Sequence, residues 1–164
     1  MNKNKTLLII RHAKSSWELD VNDKDRTLNA RGIRDAHLVS NYLKNSVEGV
    51  DSIISSPANR ALHTCMIFMR NLELNFDLFK VNNNLYDFGG ENVLSTIKSL
   101  SDNYNRVMIF GHNHALTSIV NMLGDNYIDN LPTSGFVEIE FNVNSWAEIN
   151  TGKTLRTVFP KQLK

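Results

Sequence analysis

Three short segments of this chain put reactive or cationic side chains where an apolar run hands over to a loop or helix. Arg11-His12 follows Leu7-Leu8-Ile9-Ile10. Ser55-Ser56-Pro57, with Arg60 shortly after, follows Ile53-Ile54. Gly111-His112-Asn113 follows Val107-Met108-Ile109-Phe110. In open α/β sheets ligands bind outside the carboxyl ends of the strands, so these segments would bring two arginines, two histidines and two helix starts to one sheet edge. Arginine supplies fixed, paired donors for phosphate oxygens, and helix N-termini favour anions. A neutral imidazole can attack phosphorus through one ring nitrogen. The constellation suits a tetrahedral dianion beside a histidine able to act as a nucleophile.

The elements that must position these groups can be read from periodicity. Residues 6–10 form a short apolar run bounded by polar residues and predict a buried strand. Residues 32–47 carry Ile33, Ala36, Ser40, Leu43 and Val47 at helical spacing. Ser52-Ile53-Ile54 predicts a second strand, running into a helix with Ser56 as N-cap and Pro57 at the first helical position. That helix has Ala58, Ala61, Leu62, Cys65, Phe68, Met69 and Leu72 on its inner face. Residues 91–100 predict a shorter helix, 106–110 a third strand and 115–123 another helix; 137–141, 146–149 and 154–159 read as strands. Strand–helix alternation followed by strands alone predicts a three-layer α/β/α sandwich. Its central sheet is mainly parallel, with antiparallel C-terminal strands.

The chain has 164 residues, 41% hydrophobic and 21% charged, which suits one globular domain over residues 1–164. Its 18 Lys+Arg against 17 Asp+Glu leave a net charge of +1, which excludes a broad surface for nucleic acid but not a local cationic pocket. The single cysteine, Cys65, excludes an intrachain disulfide or multi-cysteine zinc site and falls on an apolar helix stripe, as a buried small hydrophobe would. The four-residue run at 7–10 is too short for a membrane span or signal-peptide core, so no membrane partner and a cytoplasmic location are expected.

Arg11-His12-Ala13-Lys14-Ser15 resembles the RHG-type signature of the histidine phosphatase superfamily, which includes the phosphoglycerate mutases. The run from Ser55 to Thr64 is similar to its S-S-P-x-x-R-A-x-x-T motif, and Phe110-Gly111-His112-Asn113 to its G-H-x motif. The length, Trp17 and the stretch Asp25–Gly32 most resemble the phosphohistidine phosphatase (SixA) subgroup. Ala13 stands where most members carry glycine. The resemblance implies a phosphoglycerate mutase-like fold, with His12 as nucleophile and carrier of a phosphohistidine intermediate. Arg11, Arg60 and His112 would hold the phosphoryl oxygens, with Ser15 and Asn113 as further substrate contacts. The family's usual glutamate proton donor has no plain equivalent; Asp87 stands near its place, and Asp23 and Asp25 are rivals. A phosphoramidate substrate would make a strong acid less necessary, because its imidazole can leave already protonated.

Other readings are blander. Arg26 and Arg34 read as solvated, Trp17 as pinning its loop to the core, and His37 and His63 as structural. Residues 147–154 fit a loose nucleotide-loop pattern, but 150–153 lie between strand-like runs rather than before a helix. His112 and His114 could suggest a metal, yet the converging arginines would repel a cation. The expected protein is therefore a metal-independent, cofactor-free phosphatase acting on phosphohistidine in proteins. A phosphatase of small phosphate esters or sugar phosphates, and a catalytically silent phospho-ligand binding module, are the alternatives.

Overall fold

The computed structural model describes residues 4–164. Its centre is β1 (Lys5–Arg11), whose side chains are buried on both faces until the half-buried Arg11. Leu7 and Ile9 point to one core and Leu8 and Ile10 to the other, the alternation that a pleated strand imposes between two covered faces. The same division runs through β2 (Ser52–Ser55), β4 (Arg106–Gly111) and β5 (Phe136–Phe141). On one face α1 (Ala30–Leu43) contributes Ala36, Val39 and Leu43, and α2 (Asn59–Asn71) contributes Cys65, Phe68 and Met69. On the other, α3 (Glu91–Lys98) and α4 (Ala115–Leu123) bring Val93, Ile97, Leu116, Ile119 and Val120. The expected three layers are present.

Including β3 (Phe79–Val81) and β6 (Lys153–Val158), the sheet order is β3-β2-β4-β1-β5-β6. β1, β2, β3 and β4 are parallel, whereas β5 and β6 are antiparallel additions. β2, β4 and β1 are neighbours, and their register sets Arg11 beside Gly111 and Ser55 beside Phe110. The three motif-bearing strand ends therefore meet at one edge. At that edge α1 approaches the loop after β1 so closely that a side chain on Gly32 would run into the Lys14 carbonyl. Among the described residues no helix is long and apolar enough to cross a membrane.

Several local expectations are corrected. α2 starts at Asn59 behind Ala58, not at Pro57. The Ser56 hydroxyl, expected to cap it, accepts from the Ala58 amide (3.2 Å) and lies 2.7 Å from His112 Nε2. α1 begins on the Asn29 cap and stops at Leu43, short of residue 47, because Asn45 takes a left-handed turn (φ 72°); Val47 still packs into the core. Residues 146–148 form a 3-10 turn rather than a strand. Ser145 accepts from the Ala147 amide, and the buried Trp146 indole donates to the Tyr104 carbonyl (2.9 Å). β3 escapes periodicity because it is a three-residue edge strand with Lys80 at its centre and no buried face.

Candidate active site

His12 leaves β1 with only 8% of its surface exposed. Its Nδ1 lies 2.7 Å from the Ala13 carbonyl. A carbonyl only accepts, so Nδ1 carries the proton and Nε2 keeps its lone pair. The loop is held by Thr64, whose hydroxyl accepts from the Ala13 amide (2.9 Å) and donates to the Arg60 carbonyl (2.7 Å). The threonine that closes the second motif thus couples the histidine to the arginine.

Arg60, 2% exposed in the first turn of α2, donates through Nη1 to the Asp23 carbonyl (2.6 Å) and through Nη2 to the Asp23 carboxylate (2.8 Å). Arg11 is anchored by Nη1 on the Leu131 carbonyl (2.9 Å). Nε of both arginines is buried and has no partner among the described residues, leaving donors for a ligand oxygen. His112 is 1% exposed, with its ring centroid 5.1 Å from that of His12, and its buried Nδ1 is likewise free.

A pocket of about 280 Å³ is lined by Arg11, His12, Lys14, Ser15, Trp17, Asp23, Arg26, Arg60, Phe88 and Thr133. His112 backs His12 and packs against Tyr86 and Phe88 instead of lining the cavity. Asn113 is not among the lining residues. Its Oδ1 accepts from Thr117 N (3.0 Å) and Oγ1 (2.7 Å), and its Nδ2 donates to Asn130 (2.6 Å), so it organises the start of α4.

Asp87 also lies outside the cavity, and its carboxylate accepts backbone amides of Gly89, Gly90, Asn92 and Val93 at 3.0–3.1 Å. That is a helix-start role. Replacing Asp87 with alanine is expected to cost about 1–2 kcal/mol in urea unfolding with kcat unchanged. A loss of kcat by orders of magnitude would return Asp87 to the chemistry.

Two residues depart from their bland reading. Arg26 is buried, donating to the Ser15 hydroxyl, the Ser16 carbonyl (3.2 Å) and Asp23 Oδ1 (3.2 Å). Trp17 does not pin its loop to the core: it is 76% exposed and stacks on the Arg26 guanidinium. Asp23 gathers Arg60, Arg26 and the Tyr86 hydroxyl (2.5 Å). Burial alone would raise its pKa, but these hydrogen bonds outweigh burial and hold the carboxyl well below its ordinary range. The alternation of Asp and basic residues at 23–26 was the available signal for this cluster, although it does not reveal which partners they meet.

Burial pushes both His12 and His112 down to about 3 from 6.5; Arg60, Arg11 and, for His12, the other imidazole add repulsion, against the Ala13 bond at His12 and the Asp23 charge at His112. His12 is therefore neutral at pH 7, as a nucleophile requires. Between about 3 and 6.5 the unfolded chain binds protons that the native state refuses. Stability is fully present above 6.5 and falls as pH drops, by about 1.4 kcal/mol per pH unit for each ring. Denaturant midpoints at pH 7 and pH 5 check this; equal midpoints would contradict it.

A family model described as "Histidine phosphatase superfamily (branch 1)" matches residues 7–80, spanning β1 to β3 with His12 and Arg60 inside it. An uncharacterized protein of Mycobacterium tuberculosis (strain ATCC 25618 / H37Rv) is 26% identical over 153 residues, covering 87% of this chain and 93% of the relative. The solved protein histidine phosphatase SixA complexed with tungstate superposes with TM-score 0.80 at 21% identity, covering 97% of this chain and 99% of that one. A phosphoglycerate mutase from Bacillus anthracis str. Sterne gives TM-score 0.64 at 16% identity, over 94% and 93% of the two chains. Residues 7–80 are thus similar to the histidine phosphatase superfamily (branch 1). The chain's fold is that of SixA and the phosphoglycerate mutases.

Proposed function

We propose that residues 1–164 act as one histidine phosphatase domain that removes phosphate from phosphohistidine on proteins, without metal or cofactor. The observation that carries this reading is His12: buried, neutral, its Nδ1–H donating to the Ala13 carbonyl, its Nε2 unprotonated in a pocket walled by Arg11 and Arg60.

His12 Nε2 attacks phosphorus, the P–N bond to the substrate imidazole breaks, and its electron pair leaves with the imidazole. Arg11 and Arg60 stabilise the charge on the equatorial oxygens, with His112 packed behind His12. Ser15, held by Arg26, supports that wall. A water then attacks the His12-bound phosphoryl group, passes its proton to Asp23, and phosphate departs as His12 regains its lone pair. Asp23 suits this base role better than Asp87 because it lines the pocket, whereas the Asp87 carboxylate is taken up by the α3 amides. An ionised carboxylate is a poor acid for an alkoxide leaving group. An imidazole needs none when its other nitrogen is protonated, which favours phosphoramidate over alkyl ester.

The test is hydrolysis of phosphoimidazole and glycerol phosphate, each with and without EDTA. The expected result is a kcat/KM about 10²-fold higher on phosphoimidazole, the lower end of what general acid catalysis supplies, unchanged by the chelator. Phosphate binding without turnover would instead describe a silent binding module, and loss on chelation would overturn metal independence. Equal rates on both substrates would point to small esters.

A further inference from the structure

A second cavity, of about 350 Å³, lies against the catalytic pocket. Thr133 lines both, so the two cavities adjoin at that residue. Pro132, Phe159 and Pro160 give the second cavity an apolar lining, while Arg31, Lys161 and Lys164 bring it positive charge. These residues come from the start of α1, the loop before β5 and the 3-10 turn Pro160–Leu163.

Its charge is one-sided. Asp35 is the one acid among the lining residues; it is buried, and it is engaged by Lys164 Nζ at 3.0 Å and Arg31 Nε at 3.6 Å. Lys161 is exposed and has no acidic partner among the described residues. Arg31 and Lys164 thus share the one carboxylate and Lys161 has none, an excess of positive charge among the lining side chains. The acids at 18, 20, 23 and 25 sit on the loop beside the catalytic pocket, and none of them lines this cavity.

We propose that this groove seats the polypeptide flanking the substrate's phosphohistidine, and that it selects an acidic segment. Apolar side chains of the segment rest on Pro132, Phe159 and Pro160, while its carboxylates face Arg31, Lys161 and Lys164. The proposal rests on the phosphatase reading and adds a protein-recognition surface to it. The shared wall at Thr133 puts the groove next to the phosphohistidine, and the unbalanced charge supplies the preference, since complementary charge favours the matching partner and penalises the like-charged one.

Two synthetic phosphohistidine peptides, identical except for glutamates or lysines flanking the phosphohistidine, test this, with phosphoimidazole as the minimal substrate. Wild type is expected to show a kcat/KM about tenfold higher on the glutamate peptide, of the order that a few partly exposed charge pairs give. Lys161→Glu should shrink that ratio, and Arg31→Glu/Lys161→Glu should erase or invert it, with phosphoimidazole turnover within about twofold of wild type because steering acts only on the charged flanks. Lys161→Glu alters only an exposed side chain and so keeps the test valid if the double variant folds poorly.

An unchanged peptide ratio in the variants, an equal loss on phosphoimidazole, or dimerisation that Lys161→Glu abolishes without altering the ratio would overturn the proposal. Failure of wild type on phosphoimidazole would count against the phosphatase reading instead. The groove is then decided by peptide affinity for the His12→Ala protein, where charge reversal at 31 and 161 should still remove the glutamate preference.

Discussion

Replacing His12 with alanine is expected to lower kcat by about 10⁵-fold or more, the scale seen when a covalent nucleophile is removed from a unit that acts as one. Nothing else in the pocket can take its place. His112 is the other imidazole, but it lies behind His12, outside the cavity, with Nε2 against the Ser56 hydroxyl. The variant should stay folded, because the Ala13 amide remains on Thr64 and the His12 amide position remains on Gly111. The lost Nδ1–H bond to Ala13 costs about 1 kcal/mol, offset in part by no longer burying an imidazole. Steady-state hydrolysis of phosphoimidazole and a thermal melt check both halves. Activity near wild type would remove the nucleophile assignment.

Arg60→Ala is expected to lower kcat/KM by about 10³-fold, the upper range for removing one preorganised donor to a developing oxyanion. The loss has a second source. Arg60 is a principal counter-charge of Asp23, so without it the Asp23 carboxyl rises toward its ordinary range and a less neutralised acid, held by Arg26 and Tyr86 alone, faces the incoming dianion. Arg60→Lys should recover little, since a single ammonium cannot hold the Asp23 carbonyl, the Asp23 carboxylate and phosphate in one planar fork. The measurement is kcat/KM together with inhibition by inorganic phosphate; weakened phosphate inhibition in both variants is expected. An Arg60→Lys protein as active as wild type would contradict the bidentate role.

His12, Arg60 and His112 are legible in the sequence because strand ends are local features. An apolar run of four to six residues, closed by a polar residue and followed by a helix, puts the next side chain at the sheet edge whatever the rest of the chain does. The same locality makes the α4 boundaries and the buried Cys65 readable; burial pushes that thiol's pKa up, far from a nucleophile's. Asp23, Arg26 and Trp17 belong to a loop whose place is set by contacts distant in sequence. The chief of these is the pairing of Asp23 with Arg60, thirty-seven positions on. Asp87 misleads for a physical reason: a carboxylate three residues before Gly90 is as useful to the α3 amides as it would be to a leaving group, and here the helix has it. Trp146 shows the limit of β-rich composition, since one Ser145 hydroxyl bond turns the segment into a 3-10 turn.

The central claim is that phosphate passes through His12. It is tested most directly by mixing the protein with ³²P-labelled phosphoimidazole, quenching in alkali within one turnover, and mapping the label by mass spectrometry. Label on His12, stable to alkali, lost in acid and absent from His12→Ala, is the predicted result. Turnover with no protein-bound label, or label on any other residue, would contradict it.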